Sequence, residues 1–195
     1  MVQGQTFSRI LLALAAVAVL VTASGAGFMG WHYWQKRVRS TAYDSLICQT
    51  AWRHGVAPSL VKAVIWQESR FHAHSVGRAK EMGLMQITEG AVIDWRQAFG
   101  RPMPSRVMCF DPSLNIEIGT WYLARAMRNW RQYRSADILA LTEYNAGRTR
   151  ARDAAPPNPQ TEVTIAAVRV PSTRGYIVQV RRKWHDFERA QHSRG

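Results

Sequence analysis

The chain has 195 residues, with 26 Lys and Arg against 13 Asp and Glu for a formal net charge of +13, and is 47% hydrophobic and 20% charged. That length suits one globular domain with a flanking segment, and the composition excludes wholesale disorder. The charge predicts attraction to a polyanion, for which nucleic acid, anionic membrane and bacterial wall polymers all qualify.

Arg9 precedes an uninterrupted apolar run from Ile10 to Val21 that fits the hydrophobic region of an export signal. Ala23-Ser24-Gly25 offers a passable cleavage site. Apolar and small residues nevertheless continue to Trp31, reaching the roughly 20 residues that span a bilayer. Trp31, Tyr33 and Trp34 then suit the interfacial aromatic belt, whereas Lys36, Arg37 and Arg39 beyond them run against the positive-inside rule for an exported domain. Residues 1–34 are read as a signal peptide or single-pass anchor, with the uncleaved anchor preferred, 35–41 as a linker and 42–195 as the exported domain. Export makes DNA the weaker partner. Cys48 and Cys109 either pair in an oxidising compartment or remain isolated thiols.

Beyond the linker the pattern is successive helices with polar punctuation. Tyr43, Leu46, Ile47 and Ala51 recur at helical spacing, with Gly55 placed for a left-handed cap. Pro58 suits the first turn of a second helix. Thr88 is placed to cap a helix over 89–98 that Gly100 stops. The stretch DPSL opens a longer helix to about Trp130, with a stripe of Leu114, Ile118, Trp121 and Tyr122. Ser135 is expected to cap a helix from Ala136 to about Tyr144. The prolines of AAPPNPQ break any helix, and TEVTIAAVRVP fits an extended loop or a short strand. Ser172 is expected to cap a last helix whose apolar stripe is Tyr176, Ile177, Val180, Trp184 and Phe187. The fold class is therefore all-α.

Within the second helix, Glu68 follows Val61, Val64 and Ile65 at i+7, i+4 and i+3, so a carboxylate shares the core-facing side. Desolvation there, and the negative end of the helix dipole, both favour a protonated carboxyl, which is what a general acid requires. A structural glutamate paired with an arginine or capping a loop amide fits the same pattern.

Three stretches decide between those readings. QESRF (67–71), GLMQI (83–87) and EYNAG (143–147) resemble, in order, the motifs of the catalytic domain of soluble lytic transglycosylases, which is related to goose-type lysozyme. DPSLNIEIGTWYL and VPSTRGYIVQV are similar to the family's intervening helix and closing segment, so the resemblance covers about 42–184. It implies a lysozyme-like helical fold holding peptidoglycan glycan strands. It also implies cleavage of the β-1,4 bond between N-acetylmuramic acid and N-acetylglucosamine with formation of 1,6-anhydro ends. Carried across, Glu68 is the acid and later the base. Ser69, Gly83, Met85, Gln86, Tyr144 and Asn145 are the substrate-binding residues. Gly83 allows close backbone approach to a sugar, Met85 walls the cleft, Gln86 bonds an acetamido or hydroxyl group, and Tyr144 donates to Glu68 or the sugar. Tyr176 sits in an apolar stripe, which favours the core, although it is also within range of the cleft.

No cofactor is implied. His72 and His74 form an H-x-H pair with no companion ligand pattern, so no metal site is expected. Arg181, Arg182 and Lys183 are read as finishing a helix, where they favour its dipole, rather than as a nucleic-acid site. Two features depart from the family pattern. The lead-in SVGRAKEMGLMQ is longer and more charged than usual, so Glu81 is a candidate second carboxylate that would permit a water-using, lysozyme-type reaction. Ser172 stands where the family has a glutamate. The expected location is the bacterial envelope, either the outer face of the cytoplasmic membrane or the periplasm. The alternatives carried forward are a muramidase-type hydrolase and a non-catalytic peptidoglycan-binding module.

Overall fold

A computed structural model describes residues 40–193. The expected leader or anchor at 1–34 lies outside the described residues, as does nearly all of the 35–41 linker. Among the described residues there are seven α-helices and two 3-10 turns, with only isolated β-bridges joining Met82 to Val76 and Ile87. The all-helical expectation holds. No described helix is long and apolar enough to cross a membrane.

The helices are α1 (Asp44–His54), α2 (Pro58–Ser69), α3 (Glu89–Ala98), α4 (Pro112–Trp130), α5 (Ala136–Ala146), α6 (Arg148–Ala154) and α7 (Pro171–His192). Several boundaries follow from local chemistry. Gly55 ends α1 at φ 66°, and Pro58 occupies the first turn of α2. Thr88 Oγ1 accepts the Ala91 N–H at 3.1 Å to start α3, and Asp111 Oδ1 accepts Leu114 N–H at 3.0 Å to start α4.

Two expected caps fall elsewhere. Ser135 precedes α5 but its hydroxyl accepts the Val163 N–H at 2.9 Å, tying the 155–170 segment to the bundle. Ser172 lies inside α7, which starts at Pro171 after Val170. That helix runs to His192, so Arg181, Arg182 and Lys183 are mid-helix and do not finish it. Arg181 and Lys183 pair with Asp137 and Asp186 there. The 155–170 segment is a loop with a 3-10 turn at Ile165–Ala167, pinned by buried Val163 and Val168.

Helix α4 is the buried axis of the domain. The predicted stripe is too narrow, because Leu114 and Tyr122 are half-buried while Asn115, Ile116, Gly119, Thr120 and Leu123 are buried as well. A helix apolar on more than one face is a core helix. Around it, α5 and α1 pack on α4, and α2 packs most extensively on α7. Val61, Val64 and Ile65 of α2 are fully buried against that neighbour and the core. Each such side chain contributes about 1.5 to 3 kcal/mol relative to exposure. Trp184 of α7 adds a hydrogen bond to Ser59 Oγ at 3.1 Å. The N-terminal turn of α2 is thereby tied to α7 by a polar contact as well as by packing.

Candidate active site

Glu68 stands on the last turn of α2, whose end is set by Arg70 in the left-handed conformation at φ 51°. That conformation costs a non-glycine residue about 1 kcal/mol or more. Arg70 is held there by its guanidinium, 3.2 Å over the Trp66 ring and bonded to the Trp66 carbonyl at 3.1 Å. Glu68 is half-buried, on the same side as Val61, Val64 and Ile65, as the spacing predicts.

Burial pushes the Glu68 carboxyl up to about 7. The Tyr176 hydroxyl opposes that shift by favouring the carboxylate, and the negative charge of Glu81 reinforces it. Tyr176 Oη is itself buried with no partner of standard hydrogen-bond geometry among the described residues, and it interacts with Glu68. Tyr144 also feels the Glu68 charge. Both phenols are pushed well above their ordinary range, chiefly by burial, and so stay neutral donors.

The segment from Arg70 to Ile87 forms one wall of the site without helix or strand. All four described non-glycine residues with positive φ fall in it, namely Arg70, Phe71, Lys80 and Gln86. One buried side chain organises this segment. Asn115 of α4 accepts the Met85 N–H at 2.8 Å and donates to the carbonyls of Met82 at 2.8 Å and Cys109 at 2.7 Å. Gly83, at φ 74°, is required because an added Cβ would stand 2.3 Å from Asn115 Nδ2. The space a side chain would need is therefore taken by the Asn115 amide. Met85 is fully buried and packs where Gly119 of α4 has no side chain. Thr120 Oγ1 contacts its sulfur at 3.7 Å. Gln86 donates both amide hydrogens to main-chain carbonyls, Gly83 at 2.8 Å and Ser75 at 3.1 Å.

The end of α5 forms the opposite wall. Tyr144 Oη donates to the Met85 carbonyl at 2.9 Å, joining the two walls, so its hydroxyl is directed to the main chain and not to Glu68. Asn145 is exposed and accepts from Thr173 Oγ1 at 2.8 Å. Glu143, which local sequence pattern marks only as a motif letter, is buried and receives Trp130 Nε1 at 2.7 Å and Asn129 Nδ2 at 2.9 Å. A cavity of about 180 Å³ opens between the walls, lined by Gln86, Thr88, Tyr122, Glu143, Tyr144 and Asn145. A wider groove of about 630 Å³, along Trp95, Phe99, Met103 and Leu114, involves none of the motif residues.

The remaining predicted residues fall as follows. Ser69 is buried with its hydroxyl turned back to the Ile65 carbonyl at 3.2 Å. His72 Nδ1 bonds the Ser69 carbonyl at 2.8 Å and the His74 ring lies near Phe110. No group of three or more His, Cys, Asp or Glu suited to a metal occurs among the described residues. Cys48 is half-buried and Cys109 buried, and both are free thiols, which removes the pairing alternative.

This arrangement is a carboxyl of raised pKa at a helix end, beside two walls that the Tyr144 hydroxyl joins through the Met85 carbonyl. It is equipped for proton delivery to a ligand lying across it. Known proteins share the framework. Membrane-bound lytic murein transglycosylase C of Yersinia pestis (strain Pestoides F) is 34% identical over 115 residues, covering 56% of this chain and 32% of the relative. The namesake from Yersinia pseudotuberculosis serotype O:1b matches equally. The chain thus spans about a third of the length of those relatives. In structure, an inactive mutant of lytic transglycosylase Slt from Pseudomonas aeruginosa superposes with TM-score 0.70 at 23% identity, covering 78% of this chain and 25% of that one. The 70-kDa soluble lytic transglycosylase of Escherichia coli gives TM-score 0.64 at 25% identity, over 76% of this chain and 25% of that one. The family described as Transglycosylase SLT domain matches residues 45–163, more than half of the sequence, and the chain belongs to that family.

Proposed function

We propose that this protein is a peptidoglycan lytic transglycosylase of the bacterial envelope, carried out of the cytoplasm by its N-terminal segment, and that Glu68 is its acid and base. The observation that carries the reading is the Glu68 carboxyl, raised to about 7 by burial within a member of this family. The substrate is taken from the relatives, whose names specify murein.

A glycosidic oxygen leaves poorly unless it is protonated as the bond breaks. Glu68 donates its proton to that oxygen, the bond between muramic C1 and the glucosamine O4 cleaves with O4 leaving as a hydroxyl, and the substrate's own N-acetyl oxygen stabilises the anomeric cation. The Glu68 carboxylate then removes the proton of the C6 hydroxyl, O6 bonds to C1, and a 1,6-anhydro end forms with no water consumed. The ledger needs one carboxyl group, cycled back to its protonated form.

Mass spectrometry of digested wall tests the assignment, with anhydro-muramic ends expected. Glu68→Gln is expected to lower turnover by about 10² to 10⁴-fold, the usual worth of a positioned general acid. Turnover of the native enzyme is expected to fall as pH rises through about 7, because the active form is the protonated one. A second reading has one specific support: Glu81 lies close enough to act electrostatically on Glu68. Two carboxylates would permit a hydrolytic route, and reducing ends bearing the mass of water, without anhydro sugar, would establish it.

A further inference from the structure

Glu81 and Gln86 flank Gly77 in the irregular wall. The Gln86 amide nitrogen donates to two carbonyls, which fixes the orientation of the amide and leaves Oε1 without a protein donor. Glu81 accepts one hydrogen bond, from the Ala79 N–H to Oε2 at 2.9 Å, and its half-buried carboxylate has no ion-pair partner among the described residues. An ideal Cβ on Gly77 would lie 2.1 Å from Glu81 Oε2 and 2.7 Å from Gln86 Oε1, so these two oxygens share the space that the glycine leaves open.

Both acceptors are open to solvent, so water serves them until donors of a bound ligand displace it. The neighbouring cations Arg78 and Lys80 are exposed and form no ion pair with Glu81. Gln86 also lines the cavity between the two walls, and the Glu81 charge is felt at Glu68. An aminosugar strand carries the matching chemistry, with hydroxyl and acetamido N–H groups along its length. Bonds from such donors to a carboxylate are charge-assisted and stronger than those between neutral groups.

We infer that Glu81 and Gln86 Oε1 form one acceptor site for hydroxyl or acetamido N–H groups of the bound glycan, with Glu81 as a positioning carboxylate and not a base for water. This rests on the glycan-cleaving reading above. Glu81→Gln is the sharpest probe. The new side chain keeps an oxygen for the Ala79 N–H and offers an N–H to Gln86 Oε1, closing the pair from within.

The experiment measures binding of an N-acetylglucosamine tetramer by calorimetry to Glu68→Gln and to the double variant Glu68→Gln/Glu81→Gln. Wall products of Glu81→Gln are analysed beside those of the native enzyme, and Glu81→Ala serves as a second variant. Binding about tenfold weaker in the double variant is expected. KM for wall should rise more than kcat falls in both single variants, with the anhydro share of products unchanged. Equal tetramer affinity in the two Glu68→Gln backgrounds overturns the acceptor site alone. A shift from hydrated to anhydro ends in Glu81→Gln overturns the positioning role in favour of water activation. Failure of Glu68→Gln to bind the tetramer at all removes the glycan reading and the acceptor site together.

Discussion

The two walls around Glu68 are built by opposite means. The 70–87 wall has no regular structure, carries every described non-glycine residue of positive φ, and is held by a buried asparagine of the central helix. The α5 wall is the end of an ordinary helix, held by a buried carboxylate between Trp130 and Asn129. A helix satisfies its own main chain, so its end needs only a clamp. An irregular segment leaves amides and carbonyls that some other part of the fold must satisfy. Most motif letters of the irregular wall therefore serve the wall: Gly83 makes room for Asn115, Met85 fills the space over Gly119, and the Gln86 amide bonds carbonyls of its own segment.

The comparison can be broken most severely at Asn115. Asn115→Ala strands the Met85 amide and the Cys109 carbonyl in the interior, leaves the Met82 carbonyl with Ile87 N–H alone, and opens a void, and should cost about 3 kcal/mol, seen as a lower denaturant midpoint. Activity should fall with it, since the Met85 carbonyl that receives Tyr144 belongs to the same segment. Retention of native stability would mean that the wall is supported elsewhere.

The group between the walls has its own cost. The carboxyl of Glu68 holds its proton in the folded state up to about 7, against an ordinary 4.5. Between those values the folded protein binds a proton that the unfolded chain has lost, so stability declines as pH rises through that window and the ionised buried form is a burden above it. Glu68→Gln should accordingly melt later than the native protein at pH 8, by an amount on the order of 2 kcal/mol, with little difference near pH 4. Identical melting at both pH values would show the carboxyl to be well solvated.

The smallest effect is expected at the helical wall. Glu143→Gln keeps an oxygen for one of the two donors and turns an N–H towards the other, costing about 1 kcal/mol with the helix otherwise intact. A loss as large as that of Asn115→Ala would erase the distinction between the walls.

Much of this was legible in the sequence where chemistry is local. Gly55, Pro58, Thr88 and Asp111 mark helix ends because each acts on its immediate neighbours. Glu68 was legible because a charged residue on an apolar face is anomalous. A polar group on a buried face also stands at Asn115 and at Glu143, but local pattern does not reveal it because their partners lie far along the chain or on another helix. Ser135 shows the reverse failure, since its hydroxyl prefers a loop amide 28 positions away to the adjacent helix start. Helix α6 went unseen for its shortness: seven residues rich in arginine give little periodicity, and only Ala151 and Ala154 are buried.

The Met85 amide, enclosed with Asn115 on α4, has a consequence for the dynamics of the irregular wall. In deuterated solvent an amide of a surface loop usually exchanges through small local openings, but this one is released only when its grip on the central helix is lost. A segment that looks like a loop should on that account exchange on the timescale of the domain interior, and its slow amide would report the opening of the whole bundle.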